Sequence, residues 1–307
     1  MESKPQTKTP SQLKIKVNIN DLIENYKIVQ NELMDNDEIS KFTNSFFEYL
    51  KENSLSFKFE ESVLISDSNQ QVEIPNKNYT IIETTEKLEN LQFIGYPQGN
   101  LLLLLINNIL LCIINKSFPF SFYPLAGFSE KTYESVDKLN KLFNDNNQTK
   151  INLNFINKLS ERGILTLLGL RETTGSINTY LPTSIAILSS NFLEQHTKEP
   201  SPNNPKAKIP ILTVGARALC KHSHRASEGF WPDAKGGDSI KNQKAETMLK
   251  MFFEKCIWIN IHGLPHEIAI IELRIDKGYG IRWQIDGMFR GFLEPQMENG
   301  HEKGWKH

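Results

Sequence analysis

The first 160 residues of this 307-residue chain contain no tryptophan, no histidine and no arginine. All four tryptophans lie after residue 230, and residues 215–307 carry six of the seven histidines and five of the arginines. The side chains best suited to proton transfer and to the recognition of anions are therefore concentrated at one end of the chain. We expect any functional site to lie in this C-terminal part.

Cysteine is scarce, and hydrophobic runs are short. Cys112, Cys220 and Cys256 are odd in number and far apart, which argues against a disulfide framework and for a reducing compartment. The N-terminus is polar and lacks the apolar core of a secretory signal. The longest apolar run, residues 101–114, is well below the ~20 residues that a bilayer span requires. These absences predict a soluble cytoplasmic protein, with the nucleus as the alternative location.

Charge of neither sign dominates, since the formal net charge is −1. An apolar fraction of 39% and a charged fraction of 23% are typical of a globular soluble domain. The balance predicts no bulk attraction to nucleic acid or to an anionic membrane, so a polyanion would need a local patch. We expect the partner to be a protein of unknown identity or a small anionic ligand, and we expect no cofactor.

Composition divides the chain into four segments. Residues 1–12 are polar with nothing to bury and are predicted to be a disordered tail. Residues 13–196 carry mainly helical periodicity. Residues 197–209 are rich in proline and almost free of apolar side chains, which predicts a linker open to limited proteolysis. Residues 210–307 are predicted to form a C-terminal α+β domain.

Residues 101–114, LLLLLINNILLCII, are predicted to form a central apolar element, and their sequence fits two different structures. Two apolar runs about an Asn-Asn pair fit a buried hairpin, because asparagine tolerates the positive φ of a type I′ turn. The same letters fit one buried helix, and length alone does not decide between them. The turn chemistry favours the hairpin.

The C-terminal segment predicts one helix packed on an antiparallel meander. The helix begins at the cap Asp238/Ser239 and runs through Cys256. The runs IWINIH, IAIIELRI, GIRWQI and MFRGFL have strand patterns, and Asp286-Gly287 is a strong hairpin signal between the last two. The predicted fold class is α+β, with a mainly helical N-terminal part followed by a helix and a β-meander.

Alternation along these strands places apolar side chains on the face toward the helix and polar ones on the opposite face. The polar set is Trp258, Asn260, His262, Glu272, Arg274, Arg282, Gln284 and Arg290. Arginine forks bind carboxylate or phosphate in bidentate fashion, and a tryptophan and a histidine beside them suit a planar or anionic ligand. The alternative is an ordinary solvated face on which Glu272 pairs with an arginine.

A second cluster, KHSHR, contains His222, His224 and Arg225. A helix-forming run precedes it, so these cations are expected in the last turn of a helix, where the helix dipole favours them. Histidines two residues apart on a helix point apart, so we predict no metal site; a metal completed by His262 or His266 is the less favoured alternative. An anion pocket or a general base also remains open, because histidine titrates near neutral pH.

The last third of the chain resembles a known family in several short runs. They are GARALCKHSHR, FWP, WINIH, ELRIDKGYGIRW, FRGFLEP and GHEKGWKH. These runs resemble a eukaryotic family of intracellular proteins of uncharacterised function. The resemblance implies a soluble α+β protein and brings no reaction, cofactor or catalytic residue with it.

The function predicted from the sequence is that of a non-catalytic intracellular protein whose C-terminal domain binds an anionic group. No nucleophile, base and acid with recognised spacing can be assembled from the residues. The alternative is a hydrolase or transferase with its site in residues 217–307, using His222, His224 or His262 with an arginine clamp. Convergence of these groups in one concave pocket would favour the enzyme.

Overall fold

The computed structural model describes residues 91–97, 101–144, 158–200, 203, 205–206, 208–223, 229–264 and 268–296. The predicted tail at residues 1–12 lies outside the described residues, as do His224, Arg225 and His266. Among the described residues, helices predominate up to residue 255, and an antiparallel sheet of four strands follows. The predicted α+β class is therefore confirmed. No helix within the described ranges is both long enough and apolar enough to cross a membrane.

The elements follow one another in a simple order. They are β1 (Leu91–Gln92), α1 (Leu101–Asn115), β2 (Phe120–Ser121), α2 (Thr132–Asn144), α3 (Glu161–Leu167), α4 (Ile185–Leu193), α5 (Val214–His222), α6 (Asp238–Lys255), β3 (Trp258–Leu264), β4 (Ile268–Arg274), β5 (Gly280–Gln284) and β6 (Phe289–Leu293). Strands β1 and β2 pair in parallel, while β3 to β6 pair antiparallel in sequential order. This second sheet is the predicted meander.

Residues 101–115 form the single helix α1, so the favoured hairpin prediction is wrong. Asn108 is fully buried in this helix, and its side-chain amide donates to the Leu167 carbonyl oxygen at 2.6 Å. A tertiary acceptor thus satisfies an asparagine that the hairpin prediction had placed in a turn. The helix ends at Lys116, whose φ of 54° is left-handed and closes the last turn.

The apolar face of the sheet packs against α6, as the strand alternation predicts. Phe253 of α6 stacks on Trp283 of β5 with ring centroids 5.8 Å apart. The predicted turn at Asp286-Gly287 is confirmed, with Gly287 at a φ of 93° and Gln284 N–H donating to the Met288 carbonyl at 2.8 Å. The glycine supplies the positive φ that this turn requires.

The edge of β3 is hydrogen-bonded to a segment from earlier in the chain. Arg171 N–H donates to the Ile259 carbonyl at 2.7 Å, and Ile177 N–H donates to the Ile261 carbonyl at 2.8 Å. Residues 171–177 therefore continue the hydrogen bonding of the sheet beyond its edge. The helices of the N-terminal part and the sheet share one hydrophobic core.

The two ends of the predicted linker, residues 197–209, are held together. His196 N–H donates to the Leu212 carbonyl at 2.9 Å, and Val214 N–H donates to the Glu194 carbonyl at 2.9 Å. The segment therefore closes a loop whose ends lie side by side. The domain boundary placed there, and its sensitivity to proteolysis, stay predictions.

Helix α5 leads from this loop to the sheet. The Thr213 hydroxyl caps it by accepting from Ala216 N–H at 3.2 Å. Close packing requires Gly215, since an added Cβ would lie 2.3 Å from the Phe192 ring of α4. The helix runs along β6 and ends at His222, so this histidine lies in a last helical turn as predicted.

Candidate functional site

The last turn of α5 places His222 against the end of the sheet. Its Nδ1 lies 3.0 Å from Glu294 Oε1, and the same oxygen accepts from the Trp231 indole N–H at 2.8 Å. Both partners are almost buried, with His222 8% and Glu294 9% exposed. Because a carboxylate only accepts hydrogen bonds, Nδ1 carries a proton toward Glu294, which fixes the orientation of the imidazole.

A cleft of about 220 Å³ opens beside His222, between α5 and β6. Among the described residues that line it, the charged side chains other than His222 are Lys221, Arg282 and Arg290. These three groups are cations, and no lining carboxylate competes for them. The cleft is therefore suited to an anion with several oxygens, such as a phosphate, and would repel a divalent cation.

A β-bulge presents Arg290 to this cleft. Arg282 pairs with Gly291 and Trp283 pairs with Phe289, which leaves Arg290 as the extra residue on β6. Gly291 has a φ of 136°, which a residue with a side chain rarely adopts. Bulges redirect neighbouring side chains, and this one lies where the cleft forms.

Arg282 is half-buried, and its Nε has no hydrogen-bond partner among the described residues. Burial lowers the pKa of the Arg282 guanidinium, Glu272 partly opposes this effect, and Arg274 and Arg290 lower the pKa further. A desolvated cation beside like charges is unfavourable without an acceptor. An anion in the cleft would supply both the acceptor and the opposite charge.

Trp258 and Gln284, which the sequence grouped with a ligand site, lie elsewhere. Trp258 is 1% exposed, and its indole N–H donates to Glu130 Oε1 at 2.8 Å. Glu130 also forms an ion pair with the buried Arg171 at 3.0 Å. Gln284 lies opposite Ile270 on β4 and is not among the residues that line the cleft. The structure places Trp258 where the sheet meets the segment that contains Arg171.

His262 and Arg274 both bind Glu272. Glu272 accepts from Arg274 Nε at 2.6 Å, and His262 Nε2 lies 3.2 Å from its other oxygen. Burial alone would raise the pKa of Glu272, but hydrogen bonds and charges from His262 and Arg274 outweigh it, so the pKa lies below its usual value. Arg274 also donates to the carbonyl oxygens of Gly278 and Glu294. These contacts connect β4 to the turn before β5 and to the residue after β6, and so stabilise the sheet.

The structure thus brings three predicted residues, His222, Arg282 and Arg290, to one cleft, and the other described ones do not line it. Within the described ranges no three His, Cys, Asp or Glu side chains lie close enough to hold a metal ion. His224 and Arg225 lie outside those ranges. The expectation that the protein binds no metal therefore stays a prediction.

Sequence reasoning missed Glu294, Trp231 and Lys221. Glu294 directly follows the last strand and meets a histidine that lies 72 residues earlier, so no local pattern could connect them. Trp231 gave a usable signal, because it stands beside Phe230 in a glycine-rich loop, and the structure leaves it 4% exposed. An aromatic residue in such a loop commonly packs back onto the core.

Comparison with known proteins identifies the C-terminal part of the chain. Residues 201–294 match the CdiA C-terminal tRNase toxin domain family. A solved structure of the toxic C-terminal tip of CdiA from Pseudomonas aeruginosa, in complex with an immune protein, is 31% identical, and the match covers 27% of this chain and 89% of that one. Its TM-score is 0.25, so the superposition carries no argument and the likeness rests on the sequences. No curated protein matches the chain.

These matches correct three predictions. The resemblance to an uncharacterised eukaryotic family was wrong, because most of the runs that suggested it fall within the toxin-domain match. A non-catalytic, anion-binding role conflicts with a family named for tRNase activity, as does the expected absence of nucleic-acid binding. A net charge of −1 averages over the whole chain and conceals the cationic cleft. Residues 201–294 are thus similar in sequence to the CdiA C-terminal tRNase toxin domain family.

Proposed function

We propose that residues 201–294 act as a ribonuclease that cleaves the backbone of transfer RNA. One observation carries the proposal: His222, oriented by Glu294, lies in a cleft whose other charged side chains are Lys221, Arg282 and Arg290. A histidine, the side chain that most often serves as a general base, is thereby placed beside cations suited to phosphate. The matched family is named for tRNase activity, which supports the same substrate.

RNA supplies its own nucleophile, the 2′-hydroxyl next to each phosphate. In the proposed reaction His222 takes the proton of this hydroxyl as general base, and the 2′ oxygen attacks phosphorus. The bond from phosphorus to the 5′ oxygen breaks, and that oxygen takes a proton from water. The products are a 2′,3′-cyclic phosphate and a 5′-hydroxyl. Arg282 and Arg290 stabilise the added negative charge on the phosphate oxygens in the transition state.

Glu294 positions His222 and stabilises its protonated form. The carboxylate holds Nδ1 at 3.0 Å, and the indole of Trp231 holds the carboxylate in turn. When His222 accepts a proton, the positive charge develops beside a nearly buried carboxylate. A low local dielectric strengthens this attraction, so the pair favours proton transfer to the imidazole.

The test compares His222→Gln with His262→Gln in the full chain. Both changes remove a histidine that contacts a buried glutamate, but only His222 lines the cleft. We expect His222→Gln to slow tRNA cleavage by about 10²–10⁴-fold, the usual contribution of a general base, while His262→Gln retains activity. Cleavage is followed on gels, product ends are assigned by mass spectrometry, and circular dichroism checks the fold.

Three results would contradict the proposal. They are a wild-type chain that leaves tRNA intact, equal losses in both variants, or products without a cyclic phosphate end. We also expect cleavage to persist in EDTA, because the lining of the cleft is suited to phosphate and not to a divalent cation. Loss of activity in EDTA with recovery on adding Mg²⁺ would replace this mechanism with a metal-dependent one.

A further inference from the structure

A second cleft of about 220 Å³ lies beside the first. The two share Lys221 and Arg290, and the second is also lined by His196 and Arg217. Arg217 and Lys221 are four residues apart on α5, so they project from the same face of that helix. His196 comes from the segment that follows α4, just before the loop whose ends are hydrogen-bonded to each other. Three separate parts of the chain thus build this cleft.

The second cleft gathers positive charge without a described carboxylate in its lining. Arg217 Nη1 lies 2.9 Å from His196 Nδ1, so a guanidinium points at the imidazole and not at an acid. The nearby Glu194 is engaged with Lys198 and does not line the cleft. Burial, Arg217 and Lys221 each lower the pKa of His196. Arg217, Lys221 and Arg290 therefore carry the positive charge of this cleft, and a bound anion would supply the opposite charge.

We propose that this second cleft binds a further phosphate of the RNA backbone, next to the phosphate that is cleaved. The proposal rests on the proposed ribonuclease function. Lys221 and Arg290 border both clefts, so one chain of linked phosphates can follow the cationic surface from one to the other. His196 precedes residues 201–294, so the preceding part of the chain contributes to substrate binding beyond the matched domain.

The first measurement compares Arg217→Ala with Lys250→Ala. Each variant removes one positive charge, but Lys250 lies on the surface of α6, where it pairs with Glu246, and lines neither cleft. For tRNA we expect Arg217→Ala to raise KM by about tenfold with kcat little changed, since a hydrogen-bonded phosphate contact is lost. A dinucleoside monophosphate has no second phosphate, so its kcat/KM should not change. Lys250→Ala should match wild type on both substrates.

The second measurement does not depend on cleavage. Binding of tRNA to the His222→Gln protein is followed by fluorescence anisotropy at several salt concentrations, with and without Arg217→Ala. We expect Arg217→Ala to weaken binding and to reduce the slope of log Kd against log salt by about one, as for the loss of one phosphate contact. The Lys250→Ala change should leave the slope as it is.

The outcomes separate the two proposals. If wild type cleaves tRNA and Arg217→Ala behaves like Lys250→Ala, the second cleft binds no phosphate and the inference fails. The inference also fails if Arg217→Ala impairs the dinucleoside monophosphate as much as tRNA, because the residue then serves the first cleft. If wild type cleaves nothing but the binding loss appears, the ribonuclease proposal fails and the anion site stands.

Discussion

Two histidine–glutamate pairs lie near the two edge strands of the same sheet, β3 and β6, and have different surroundings. His222 contacts Glu294 at 3.0 Å, and His262 contacts Glu272 at 3.2 Å. Glu272 also binds Arg274, whose guanidinium neutralises it. Glu294 has the neutral indole of Trp231 as its other side-chain partner. The two contacts have similar lengths, but the charges around them differ.

The difference shows what turns a histidine–carboxylate contact into a candidate site. At Glu272 the negative charge is satisfied inside the protein, and residues 171–177 are hydrogen-bonded to the sheet edge. Near Glu294, by contrast, the cations Arg282 and Arg290 line an open cleft. Cations that line a cleft beside an oriented histidine indicate ligand chemistry, whereas a buried ion-pair network indicates stability.

The largest predicted effect on stability is that of Glu272→Gln. It leaves the buried Arg274 without its carboxylate, and loss of one partner from a buried pair destabilises by roughly 3–5 kcal/mol. The matched change Glu294→Gln keeps an oxygen for His222 and Trp231, so we expect about 1 kcal/mol there, together with a loss of tRNA cleavage. Urea unfolding of both variants measures the difference. Equal destabilisation would remove the distinction between the pairs.

An intermediate effect is expected for Arg282→Lys, on activity and not on stability. Lysine keeps the charge but loses the planar fork, and Arg282 Nε has no described partner to lose. We expect tRNA cleavage to fall about tenfold or more, as when a hydrogen bond to a charged group is removed. The free energy of unfolding should change by no more than about 0.5 kcal/mol. A clear loss of stability with unchanged cleavage would make Arg282 part of the bracing network around Glu272.

The sequence was sufficient to predict the four strands of the sheet and some of the charged residues that line the cleft. Strand alternation placed Arg282 on its face, and Asp286-Gly287 placed the turn, because both depend on local backbone rules. It failed for helix α1, where the buried Asn108 depends on a carbonyl in another helix. The pairing of residues 171–177 with β3 was equally unpredictable, since it joins residues that are more than 80 positions apart.

The contacts that sequence reasoning missed share one property. Glu294 meets His222 across 72 residues, and Arg217 meets His196 across 21. No periodicity or motif spacing encodes such a contact, because it forms only when α5 packs against other parts of the chain. The bulge at Arg290 is a further case, since a bulge is specified by the register of two strands and not by one strand alone.

The prediction with the smallest expected change near neutral pH is a pH dependence that belongs to Glu272. Its pKa is depressed in the folded protein, so its contribution to stability is fully present above the unfolded value of about 4.3 and is lost as pH falls through the lower folded value. The difference in unfolding free energy between wild type and Glu272→Gln should therefore be constant near neutral pH and shrink below about pH 4.3. Other carboxylates titrate in both proteins, so the difference isolates this one.

Glu194→Gln is the surface control: hydrogen bonding to Lys198 also lowers the pKa of Glu194, but the group is exposed and screened by solvent. Its difference from wild type should be small at every pH and should vanish in high salt. If the Glu272→Gln difference persists unchanged at low pH, Arg274 and His262 do not hold a charged carboxylate, and the contrast between the two pairs rests on geometry alone.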